Sequence, residues 1–182
     1  MQRCFWCNLK NQKYIEYHDN EWGRLRLDDE YLFEMLLLES FQAGLSWECV
    51  LNKRDAFKAA FDAFDYERIA VYDERKVQEL LSDTKIIRNK LKIRAAVTNA
   101  KIFIDIKNEY GSFISYIKLF WNGNIIHDSE SLTSLLSDSI SKDLKKRGMK
   151  FLGSTVIQSF LQAVGIIYAH TNDCFLYKNI TP

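Results

Sequence analysis

Apolar residues recur at Ile87, Leu91, Ala95, Thr98, Ile102 and Ile106, with spacings of four, four, three, four and four. That rhythm predicts a helix of about five turns with this stripe on its buried face. Upstream, Asp28 or Asp29 is placed to cap a helix through Tyr31, Phe33, Met35 and Leu36. Ser46 caps a second, from Trp47 through Val50, Leu51 and Phe57 to about Phe61. Asp65 caps a short helix through Ile69, and Lys76 to Leu81 reads as another, followed by a turn at 82–85. Downstream, Phe113, Tyr116, Ile117 and Phe120 predict a further helix, and 122–124 a turn. Residues 124–128 suit a short extended piece. Thr133 or Ser137 opens a helix that Gly148 terminates. Val156, Phe160, Leu161 and Val164 form the last stripe. Residues 1–27 are aromatic-rich but show no clean period, and the tail after His170 is polar and irregular.

The predicted architecture is one all-α domain. Length agrees: 182 residues suffice for one real core and fall short of two. A single proline, Pro182, and only seven glycines suit long helices with short connections. No apolar run nears the ~20 residues of a membrane span, and the first residues lack a secretory apolar centre. The expected location is the cytoplasm.

Net charge is +1, which announces no nucleic-acid partner. Its distribution says more. Lys85, Arg88, Lys90, Lys92 and Arg94 lie within ten residues without an acid among them. Lys142, Lys145, Lys146, Arg147 and Lys150 lie within nine, opposed only by Asp143. Such patches serve either as solvated helix faces or as phosphate contacts.

The cysteines are Cys4, Cys7, Cys49 and Cys174, and the histidines His18, His127 and His170. In a reducing compartment, metal binding competes with disulfide formation. Cys4, His18, His170 and Cys174 would make a closed two-Cys, two-His set, which is a structural rather than a catalytic zinc site. Such a clip closes nearly the whole chain, where a cross-link restrains the unfolded state most. Cys4 and Cys7 can equally be a redox pair, or Cys7 an alternative ligand. Cys49 is expected to pack in the core.

Glu39 stands among Leu36, Leu37, Leu38 and Phe41, just before the small-residue tip Gln42-Ala43-Gly44-Leu45 and Trp47. Desolvating a carboxylate there is costly unless something compensates it. It is either a partly exposed helix-end residue or a pocket acid with Trp47 as a stacking surface.

Taken together these residues resemble the bacterial 3-methyladenine DNA glycosylase I family, of the helix-hairpin-helix superfamily. The resemblance rests on Arg3-Cys4 with Trp6, YHDNEWG at 17–23, FEMLLLESFQAGLSW at 33–47, IIRNKLKI at 86–93, SKDLKKRGMKFLGST at 141–155, and His170 with Cys174. It covers essentially the whole chain. It implies a helical core at 28–150 with a hairpin near 82–92, and a zinc-stapled subdomain made of 1–27 and 151–182. It implies one structural zinc on Cys4, His18, His170 and Cys174. It places a base pocket at Glu39, Tyr17, Trp47 and Trp6, with Tyr14 nearby. It makes Leu45, at the tip with Gln42 and Gly44, a wedge in opened DNA, and leaves Lys85, Arg88 and Lys90 for phosphates. The hairpin departs from the family pattern, because Lys85 and Leu91 stand in the neighbourhoods of expected glycines. No catalytic aspartate is evident after it; Thr98 and Asn99 stand where one is sought.

The implied activity is base excision repair of alkylation damage. A monomer would bind double-stranded DNA, in the nucleoid, and release free 3-methyladenine by hydrolysis without cutting the strand. Two other readings remain at this point. One is a zinc-containing helix-hairpin-helix module that binds damaged DNA without catalysis; the other is a thiol redox protein using Cys4 and Cys7.

Overall fold

A computed structural model describes residues 1–177; residues 178–182, within the expected stapled subdomain, lie outside the described residues. The chain is helical, in the order α1 (Gln12–Asn20), α2 (Asp29–Gln42), α3 (Trp47–Asn52), α4 (Arg54–Ala60), α5 (Tyr66–Ala70), α6 (Glu74–Ser82), α7 (Lys90–Tyr110), α8 (Phe113–Ile117), β1 (Ile126–His127), α9 (Leu135–Lys146), α10 (Ser154–Ala163) and β2 (Ile167–Tyr168). Among the described residues no helix is long and apolar enough to cross a membrane.

The centre is α2. Asp28 caps it by accepting from the Tyr31 amide, and every residue from Tyr31 to Phe41 except Glu34 is buried. A helix apolar on all sides needs neighbours on all sides. It has them in α3, α7, α8 and α10. An aromatic cluster fills the gaps: Phe33 meets Phe103 edge-on at 5.1 Å, and Phe41 meets Phe57 at 4.8 Å.

Several expected elements are corrected. The N-terminal segment is not wholly irregular: Asn11 caps α1 through the Lys13 and Tyr14 amides, and Tyr14, Tyr17 and His18 are its buried face. Nine residues carry too few turns for that period to show. The helix after Ser46 breaks at Lys53 into α3 and α4. Cys49 is half-buried rather than in the core. Neither Thr133 nor Ser137 caps α9; Ser134 does, with Ser137 completing a capping box. The extended piece is β1, whose parallel partner β2 gave no signal.

The largest correction concerns α7. Ile87 precedes the helix, and Leu91 is 70% exposed, as Thr98 also is exposed. The buried face runs instead through Lys92, Ala96, Asn99, Phe103 and Ile106, a spacing of four, three, four and three. Two polar members hid it. Asn99 spends both ends of its amide on the backbone of Lys150, accepting at 2.9 Å and donating at 3.0 Å.

The two ends of the chain are sewn together. The Arg26 amide donates to Val164 at 3.1 Å, and the Phe175 amide donates to Gln2 at 2.8 Å. Gly165 has φ +80°, and a Cβ there would stand 2.5 Å from the backbone of Arg24 and Leu25. A side chain at this crossing is excluded by both conformation and space. Gly165→Ala is therefore expected to destabilise the fold by at least about 3 kcal/mol, read by urea denaturation. A loss under about 1 kcal/mol would show that the two segments part easily.

Candidate active site

Helix α1 presents consecutive residues to two neighbouring centres. His18 faces the joined chain ends, and Tyr17 faces Trp47, ring centroids 5.2 Å apart. Trp6 lies between, 5.2 Å from His18 and 5.5 Å from Tyr14.

The first centre is the set Cys4, His18, His170 and Cys174. All four are buried, and their ligand atoms lie within 4.8 Å of one another. Cys4 Sγ is 3.5 Å from His170 Nδ1; Cys174 Sγ is 3.4 Å from His18 Nε2 and 3.5 Å from His170 Nδ1. Zinc bonds of ~2.3 Å to sulfur and ~2.0 Å to nitrogen, in a tetrahedron, put ligand atoms roughly 3.5 Å apart. The set therefore fits a metal ion. Burial lowers His170 to about 4, with His18 adding to the effect, so its imidazole is neutral at pH 7 and free to ligate. Burial also raises Cys4 to about 11, and a bound cation reverses that sense by stabilising the thiolate.

A supporting shell is present that sequence reasoning missed. His18 Nδ1 lies 2.8 Å from Asp19 Oδ1, and Arg3 holds that carboxylate with two bonds at 2.8 and 2.7 Å. A carboxylate behind a ligating imidazole fixes its tautomer and orientation. Both residues lay inside quoted motifs, with nothing in spacing to separate them from their neighbours. Cys7 stays outside the set: it is buried, with its Sγ 3.8 Å from the Tyr14 carbonyl.

The second centre is a cavity of about 150 Å³ lined by Trp6, Tyr14, Tyr17, Trp22, Glu39, Gln42, Trp47, Ser159 and Gln162. That is space of the order that admits a six-membered aromatic ring. Every residue expected in a base pocket lines it. Trp22, Ser159 and Gln162 join them; the last two lie one turn apart on α10, on a face whose polar residues gave no period. Glu39 is 3% exposed, and its Oε2 has no hydrogen-bond partner among the described residues. Burial alone raises its carboxyl from the ordinary 4.5 to about 8. The Trp47 indole Nε1 is likewise sealed and unpartnered. Glutamates nearby are not left this way: Arg54 bonds Glu21 at 2.8 Å and Glu34 at 2.7 Å.

Beyond Glu39, α2 ends in a tight turn. The Leu45 amide donates to the Gln42 carbonyl at 2.6 Å, Gly44 takes φ +79°, and Leu45 is 43% exposed. The hairpin between α6 and α7 caps itself: Asp83 Oδ1 accepts from the Lys85 amide, and Asn89 Oδ1 from the Leu91 and Lys92 amides. Lys85, Arg88 and Lys90 are exposed, and none is in an ion pair among the described residues. Lys92, by contrast, is buried, Arg94 pairs with Glu74 at 2.8 Å, and Arg147 pairs with Glu109 and Asp143.

A family model described as methyladenine glycosylase matches residues 6–177. The DNA-3-methyladenine glycosylase 1 of Escherichia coli (strain K12) is 39% identical over 189 aligned residues, covering all of both chains. A crystal structure of a 3-methyladenine DNA glycosylase I superposes with TM-score 0.93 at 40% identity, covering 97% of this chain and all of the other. A variant of such an enzyme in complex with 3-methyladenine superposes with TM-score 0.90 at 33% identity, over 96% of each chain. With its sequence, its helical architecture and its aromatic-lined cavity in agreement, the chain belongs to the methyladenine glycosylase family.

Proposed function

We propose that this protein is a monofunctional DNA glycosylase that hydrolyses the N-glycosidic bond of 3-methyladenine in alkylated DNA. The observation that carries the reading is Glu39: a carboxyl group in an aromatic cavity, desolvated, its Oε2 without a partner among the described residues. An adenine methylated at N3 within DNA is cationic. Its ring is attracted to the faces of Tyr17, Trp47, Trp6 and Tyr14, and its charge supplies the partner that Glu39 lacks. A neutral adenine leaves a buried carboxylate uncompensated, and is discriminated against for that reason.

The chemistry asks for little more. The bond from sugar to base breaks with its electrons passing to the base, which becomes neutral. Water adds to the oxocarbenium-like sugar and loses a proton to solvent, leaving an abasic site. The departing charge was already present in the substrate, so a strong general base is not required. Asn99, locked onto the Lys150 backbone, is not free to act as one.

Reaching the cavity requires extruding the base from the duplex. Leu45, raised on the Gln42–Gly44 turn, is suited to fill the vacated stack, with Gln42 beside the widowed partner base. Lys85, Arg88 and Lys90 supply phosphate contacts by direct charge, since the hairpin's own side chains already occupy its Lys85, Leu91 and Lys92 amides. The metal we assign to Cys4, His18, His170 and Cys174 is one structural zinc, which supplies a cross-link and no chemistry. The chain then works as one domain whose two ends form the wall of the pocket.

Release of free 3-methyladenine from methylated duplex DNA tests the reading. Glu39→Gln is expected to slow release on the order of 100-fold, and wild-type protein that binds such DNA but frees no base would favour the non-catalytic module instead. kcat/KM reports groups of the free enzyme. With Glu39 near 8, wild-type kcat/KM should climb with pH and level off near 8; a flat profile would remove Glu39 as the charge sensor.

The same group sets a stability trend. Its folded value near 8 lies above the ordinary 4.5, so its contribution is full below about 4.5 and is lost as pH rises through 8. Glu39→Gln should therefore gain on wild type by about 1.4 kcal/mol per pH unit across that window, read by denaturation at pH 5, 6 and 7.

Metal analysis should find one zinc per chain. Removing it with a chelator should cost roughly 5 kcal/mol, the loop-closure value for a link spanning nearly the whole chain. A well-folded preparation free of metal would contradict the staple.

A further inference from the structure

Lys92 is 5% exposed, and among the described residues no carboxylate pairs with it. Its ammonium instead donates to two carbonyls, Phe41 at 2.8 Å and Ala43 at 2.5 Å. These belong to the last turn of α2 and to the residue that ends it. Helix C-termini leave carbonyls without partners and carry partial negative charge. The last turn of α2 contains no basic residue of its own. A lysine from the first turn of α7 serves it across 49 and 51 residues of sequence.

The two ends of this link are informative. On one side, Lys92 follows the hairpin directly, within a turn of the exposed Arg88 and Lys90. On the other, Phe41 and Ala43 bracket Gln42, whose carbonyl closes the turn that lifts Leu45. Glu39 lies two residues before Phe41. Burying a lysine is unfavourable without strong acceptors, and desolvation does lower its pKa here. A leucine or methionine at this position would fill the same space without that cost. The link is therefore too specific to be packing alone.

We propose that Lys92 is a positioning residue for base excision: it fixes the Gln42–Leu45 turn relative to the hairpin, so that seating the hairpin on phosphate delivers Leu45 into the stack. This rests on the wedge role given to Leu45 above. Lys92 touches neither base nor reacting atoms. Its ammonium is also occupied by two carbonyls, which leaves it unsuited to attack the sugar as a nucleophile and agrees with hydrolysis by water.

The test is a double-mutant cycle on base release from methylated duplex, using Leu45→Ala, Lys92→Met and the pair, with binding of free 3-methyladenine measured in parallel. Each single change should slow release by about 100-fold, the effect of misplacing a positioning group by an ångström. The pair should be about as slow as the slower single, because both remove one device. Free-base binding by Lys92→Met should fall by under about tenfold, far less than release, because Gln42 is the one cavity-lining residue on the turn that Lys92 holds. Wild-type release by Leu45→Ala would sink the wedge, and this proposal with it. A slow Leu45→Ala combined with losses that multiply would overturn the Lys92 proposal alone. So would a Lys92→Met protein that loses free-base binding by the same factor as release. If Lys92→Met does not fold, the cycle is run with Lys92→Gln, which keeps an N–H donor; failure of both to fold would make the lysine a staple and end the proposal.

Discussion

A desolvated carboxyl group, its Oε2 without a hydrogen-bond partner among the described residues, is the constraint around which this fold is arranged. Other acids nearby have partners: Glu21 and Glu34 share Arg54, Asp19 is held by Arg3 and His18, and Glu48 accepts from Asn8 and Asn11. Glu39 faces aromatic rings with its Oε2 buried and without a partner among the described residues, and burial raises its carboxyl to about 8. A polar group so placed is unfavourable by several kcal/mol until a cation arrives. On the proposed reading, recognition follows from electrostatics more than from shape, because adenine with and without its methyl group presents nearly the same outline to the walls.

Charge elsewhere obeys the same economy of position. The two basic stretches contain ten cations between them, but Lys92, Arg94 and Arg147 are turned onto the protein's own carbonyls and carboxylates. Those that remain at the hairpin are local. A protein of net charge +1 exerts little long-range pull on DNA. On the proposed reading, its hold comes instead from short-range contacts at a few phosphates.

Much of this was legible in the residues. Asp28, Ser46 and Asp65 cap the helices they were expected to cap, and Gly148, with φ +104°, ends α9. Cys4, His18, His170 and Cys174 stand together, and Glu39, Tyr17, Trp47, Trp6 and Tyr14 line one cavity. What escaped did so for physical reasons. The buried face of α7 contains Lys92 and Asn99, whose polar ends are satisfied by backbone, so a reading by hydropathy slid part of the way round the helix, keeping Ala95 and Ile106 buried but including the exposed Leu91 and Thr98. Helix α1 is too short to show a period. Ser159 and Gln162 reach the cavity only because α10 packs across α2, a tertiary fact absent from any local window. Asp19 stands next to His18, and only its geometry separates a supporting carboxylate from a surface one.

The contacts that complete the site are among the most distant in the chain. Cys4 meets His170 across 166 residues, and His18 meets Cys174 across 156. Such pairings form late, since closing long loops precedes any reward from the contacts they make. Cys4 and His18 therefore meet the rest of their set only after His170 and Cys174 have been made, whereas Tyr17 can pack on Trp47 much earlier. A chain interrupted before α10 would retain the exposed hairpin cations while lacking Ser159 and Gln162, which line the cavity, and His170 and Cys174, which face Cys4 and His18.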